Sequence, residues 1–84
     1  MHNSTPEPSI ETFHISGKII HVDLEGGFWG ILTDEGQELK PSPALEAAFQ
    51  QVDLKIKAEI VPIVEIGIHM WGTPVKVLSI SKVD

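Results

Sequence analysis

Phe13-His14-Ile15-Ser16-Gly17-Lys18-Ile19-Ile20-His21-Val22-Asp23-Leu24 is the stretch that decides the fold. Phe13, Ile15 and Ile19 place their apolar side chains on odd positions. Ile20, Val22 and Leu24 then place theirs on even ones. Side chains alternate along a strand with period two, so a strand that changes its apolar face calls for a bulge or a bend. Gly17 and the Ile19-Ile20 pair mark where it falls. A long, bent first strand that serves two sheets is what a small closed barrel requires.

The residues that follow fit such a barrel. Leu24-Glu25-Gly26-Gly27-Phe28-Trp29-Gly30 is a glycine-rich turn running into two large aromatics. Phe28 to Thr33 reads as a second strand, Asp34-Glu35-Gly36 as a three-residue hairpin loop with Gly36 in the left-handed position, and Gln37 to Lys40 as a third strand. In Pro41-Ser42-Pro43, Ser42 suits a helix N-cap and Pro43 the first helical position. The pattern predicts a helix over Ala44 to Gln50, with Leu45 and Phe49 on one stripe as a plug. Two turns do not stand alone in water, so this helix must dock. Asp53 to Val64 alternates as a long fourth strand, where Pro62 marks an edge or bulge. Val75 to Val83 is a fifth, with its own change of apolar phase.

Three strands, a short helix, then two strands is the order of the OB-fold, an all-β, five-stranded Greek-key barrel with one short helix. A five-stranded SH3-like barrel is the alternative. That fold usually carries a short 3₁₀ turn late in the chain, which suits the Ser42–Gln50 segment less well. Residues 11–84 read as one small domain. Residues 1–10, rich in proline and polar groups, read as a disordered tail.

Composition narrows the function. The chain has 84 residues, no cysteine and a net charge of −6 from 12 acidic and 6 basic residues, all six of them lysine. Without cysteine there is no disulfide, thiolate metal site or cysteine nucleophile. Without arginine, and with this charge, the chain is a poor partner for nucleic acid or an anionic membrane. No apolar run is long enough to span a bilayer. Met1 to Ser9 lacks a basic segment followed by an apolar one, so the expected location is cytoplasmic, with a signal removed from a longer precursor as the alternative.

Leu-Glu-Gly-Gly-Phe-Trp-Gly-Ile at 24–31 and Ile-His-Met-Trp-Gly-Thr-Pro at 68–74 give a second line of inference. The pair resembles the LEGGF(W/Y)GI and IH(M/L)WGTP stretches of a group of small, mostly uncharacterised prokaryotic proteins with an OB-like fold. The resemblance covers roughly residues 15 to 83. It implies a shared fold and brings no assigned reaction.

In an OB-fold, the loop between strands one and two and the loop between strands four and five flank one binding face. The Glu25–Trp29 and Gly67–Pro74 stretches are these loops, so they are expected to meet. The functional reading is a shallow binding site with Phe28, Trp29 and Trp71 as walls and Glu25, His69 and His21 as polar contacts, taking a small molecule, peptide or protein. In the structural reading the aromatics are a packing clasp, with Trp29 and Trp71 on each other or on the barrel rim. A structural or self-assembling domain is then the alternative function. His21 and His69, with Glu25 or Asp23, are candidate metal ligands, although their spacing and that of His14 match no zinc pattern. No phosphate loop or Ser–His–Asp order is present, so no enzyme and no cofactor is expected.

Overall fold

The computed structural model describes residues 11–24, 26–64 and 71–83. Five strands run in the order β1 Phe13–Val22, β2 Phe28–Thr33, β3 Glu38–Pro41, β4 Lys55–Pro62 and β5 Thr73–Lys82. They close into a barrel, β1-β2-β3-β5-β4 and back to β1. All neighbours are antiparallel except β3 and β5, which are parallel. The three-stranded meander, the crossover to β4 and the insertion of β5 beside β3 give the Greek-key closure of the OB-like small barrel. The tail assigned to residues 1–10 lies outside the described residues.

β1 is shared as its sequence requires. Its first part pairs with β4, from Phe13↔Ile60 to Lys18↔Lys55. Its last part pairs with β2, from Gly17↔Thr33 to Val22↔Phe28. Gly17 stands in both ladders, and a Cβ there would fall against the Leu32 carbonyl oxygen and 2.7 Å from Thr33 Cα. Only glycine lets β2 pass this close. Ile19 continues the double role: its N–H donates to the Leu54 carbonyl and its carbonyl accepts from the Asp53 N–H.

The register corrects one expectation. The β1–β2 ladder runs unbroken through the change of apolar phase. Ile20 and Val22 therefore point out of the barrel, opposite Gly30 and Phe28, while Ile19 points in opposite Ile31. The phase changes because the outer wall is also covered here, with Val22 buried outside the interior cluster. The change in β5 is a true bulge. Glu59 pairs with Ser79 and Ile60 with Val77, so Leu78 has no partner and its side chain is exposed. Pro62 itself pairs in register with Val75.

Ile19, Ile31, Ile56 and Val75 fill the barrel with almost no exposed surface, joined by Leu39, Ala58, Ile60 and Leu45. The β2–β3 loop is as predicted. Gly36 takes φ +91°, its N–H donates to the Thr33 carbonyl, and Thr33 N–H donates to the Gln37 carbonyl. The buried Thr33 hydroxyl accepts from Gln37 N–H at 2.9 Å, which satisfies the one buried polar side chain among the described residues.

The predicted Ala44–Gln50 helix is not formed. A single 3₁₀ turn, Ala47–Phe49, replaces it, and Glu46 rather than Ser42 is its N-cap. The Ser42–Pro43 peptide is cis. The cause lies in Leu45, which reaches the core before any helix starts. Glu46 stays extended at ψ 153° to hold it there, and the Gln50 side-chain amide donates to the Leu45 carbonyl. So short a helix has no stability of its own to oppose this docking. The plug residues are nonetheless those expected: Leu45 is buried and Phe49 packs against the cluster.

Candidate functional site

Alternation along β2 sorts the aromatics. Ile31 and Thr33 face the interior, and Trp29 lies on the same face, packed against the core cluster. Phe28, Gly30 and Leu32 therefore face outward. The two bulky aromatics, adjacent in sequence, are on opposite faces of one strand.

Trp71, just ahead of β5, completes the outer group. Its ring lies on Gly30, so close that a Cβ there would stand 2.6 Å from Trp71 Cη2 and 2.8 Å from Cζ3. The Trp71 and Phe28 ring centroids are 5.7 Å apart with planes tilted by 60°. Gly72 brings the backbone against β3, where a Cβ would be 3.3 Å from the Glu38 carbonyl oxygen. The chain entering β5 thus reaches across β3 and lays its indole on β2. Lys40, on the outward side of β3, holds its ammonium 4.8 Å from the Phe28 ring centroid. Phe28, Lys40 and Trp71 are all half-buried. The result is an aromatic patch with a cation at its margin and Ile20 and Val22 beside it.

The inner group sits at the glycine-rich turn. Gly27 N–H donates to the Leu24 carbonyl, and Gly26 and Gly27 take φ +86° and +93°, which side chains resist. His21 pairs across the ladder with Trp29, their rings 5.0 Å apart edge to face. A Cβ on Gly27 would stand 3.2 Å from His21 Cε1, so the imidazole occupies the space that this glycine leaves. His21 Nδ1 lies 3.0 Å from Asp23 Oδ1, and the Asp23 side chain is almost fully exposed.

Phe28 and Trp71 come together, so the two motifs do meet. They meet on the outer wall over β2 and β3. Trp29 joins His21 on the other face, and the two tryptophans do not pack on each other. Glu25 and His69 lie outside the described residues. Gly30 and Lys40 complete the patch, and sequence reasoning did not single them out. An isolated glycine inside a strand was the available signal for Gly30, since it marks a close approach by another part of the chain. Lys40 carried no signal distinguishing it from a solvated strand lysine.

Among the described residues, no group of three or more His, Asp or Glu side chains could hold a metal ion. A cavity of about 700 Å³ opens where β1, β3 and β5 begin and β4 ends, with Ile15, Leu39, Ile60 and Val75 at its base and His14 and Glu38 at its margin. No family profile, curated protein or solved structure matches the chain.

Proposed function

We propose that this chain is a non-enzymatic binding module of the cytoplasm that uses the outer wall of β2 and β3 to recognise a small molecule, peptide or protein. The observation that carries this reading is the half-buried Phe28–Trp71 pair with the Lys40 ammonium beside it. Aromatic surface left partly open, with one charged group to orient a ligand, is how shallow recognition sites are built. The face of strands two and three is one that OB-folds use for binding. A chain with no arginine and a charge of −6 favours partners other than nucleic acid.

A structural role for the same patch has its own support. Gly30 is bare where the Trp71 ring lies, which is the mark of a clasp fixing the chain ahead of β5 onto the barrel.

NMR separates the two, because Trp71 beside Phe28 and Trp29 beside His21 are expected to give distinct indole N–H signals. Fragment and peptide mixtures are titrated into the labelled protein. Hits that move the Trp71 indole and the amides of β2 and β3, and that are lost in Phe28→Ser, support the binding module. A library that leaves Trp71 unmoved, or hits that persist in Phe28→Ser, leaves only the clasp.

A further inference from the structure

We infer that the outer wall of β1 and β4 is a second docking surface, for an extended acidic segment of a partner protein. It goes beyond the aromatic patch and uses different residues. Lys18 pairs with Lys55 and Ser16 with Lys57 across the β1–β4 ladder. The buried Gly17 and Ile56 alternate with them, so all four side chains share the outward face, and all four residues are exposed. Three of the six lysines thus meet in one shallow groove of about 490 Å³, with Leu32 and Val83 as its apolar part.

Two like charges directly opposite each other in a ladder destabilise it. Lys18 is partly offset by Asp53, 3.7 Å away and itself mostly exposed. Among the described residues, Lys55 and Lys57 have no carboxylate within ion-pair distance, and Asp34 is the one acid lining the groove. A chain with twice as many acids as bases leaves Lys55 and Lys57 uncompensated among the described residues, and an incoming carboxylate relieves the Lys18–Lys55 repulsion.

The spacing selects the form of the partner. Lys55 and Lys57 stand two residues apart on one strand, roughly 6.7 Å. An extended peptide with Asp or Glu at alternate positions repeats at the same interval and meets both. Nucleic acid fits less well. The groove has no aromatic ring for base stacking and no arginine to fork onto phosphate.

Fluorescence anisotropy tests this with a fluorescein-labelled peptide of alternating glutamate and threonine. The full chain is expected to bind it at low salt and to release it as salt rises. Lys55→Gln with Lys57→Gln is expected to weaken binding about tenfold, and Lys76→Gln on β5 to leave it unchanged. Lys55 and Lys57 are both exposed, and circular dichroism checks that the double variant folds. Lys55→Glu with Lys57→Glu is expected to prefer a lysine–threonine peptide instead. The inference is overturned by no binding at low salt, by equal binding in the double glutamine variant, or by tighter binding of an oligothymidylate. It is equally overturned if sedimentation shows the wild type self-associating through these lysines, since the occupant is then a second copy.

Discussion

The Trp71 ring occupies the place of a Gly30 side chain, 2.6 Å from where the Cβ would be. The clashing atoms are the far end of one side chain, so the ring can yield while the barrel stays. Gly30→Ala is therefore expected to expel the indole and to lower stability by about 1–2 kcal/mol. Urea unfolding measures the loss, and a large shift of the Trp71 indole signal with little change at Trp29 identifies its source.

Gly17→Ala meets a different obstacle. Its Cβ falls on the Leu32–Thr33 backbone, which the β1–β2 and β2–β3 ladders hold in place. Nothing there turns aside, so the β1–β2 ladder must part. The expected loss is about 3 kcal/mol or more. In a domain this small, the variant is expected to show greatly reduced far-UV and near-UV dichroism at room temperature. A well-folded Gly17→Ala chain with wild-type melting contradicts the shared-strand register.

The plug provides a graded pair. Leu45 is 6% exposed and inside the core cluster, whereas Phe49 packs at its border. Leu45→Ala is expected to cost about 2–4 kcal/mol, and Phe49→Ala less despite the larger side chain removed. Thermal melting of the two variants checks the order. The reverse order fits a docked helix with Phe49 as its anchor.

His21 has two neighbours of unequal weight. His21→Phe keeps an edge against Trp29 and loses the exposed Asp23, so stability is expected to stay within about 0.5 kcal/mol. His21→Ala removes the ring contact, with an expected loss of about 1 kcal/mol. Trp29 emission then moves to the red as water reaches the indole. Fluorescence and urea titration of both variants test this.

Much of the fold was legible in short patterns. The run Lys55-Ile56-Lys57-Ala58-Glu59-Ile60 alternates in sequence, and its even members are the buried ones. Such a strand has one face to the core, and period two reports it directly. The helix was misread because Leu45 and Phe49, four apart, fit a helical stripe as well as they fit a 3₁₀ turn with a buried residue ahead of it. The two phase changes look alike in sequence yet differ in cause. Leu78 is extruded by a bulge, while Ile20 and Val22 stay in register opposite Gly30 and Phe28, the two residues that Trp71 packs on. Periodicity records that a face is apolar, and the ring that lies on this wall at Gly30 comes from about forty residues further along the chain. For the same reason the meeting of the two motifs was legible, while the sequence left Trp29 and Trp71 either on each other or on the barrel rim, and alternation at Phe28-Trp29 separates them.

β5 lies between β3 and β4, so one strand completes two ladders at once. Until it is in place, both of its neighbours present unpaired edges. Its pairing with β3 joins residues more than thirty positions apart, Leu39 with Thr73. Contacts this distant in the chain must close large loops before they stabilise anything. The barrel is thus expected to fold on the slow side for its size, in milliseconds to seconds, with insertion of the last strand as the committing event. The interval before it is when two open edges are available to another chain, and it is then that this protein is most exposed to aggregation.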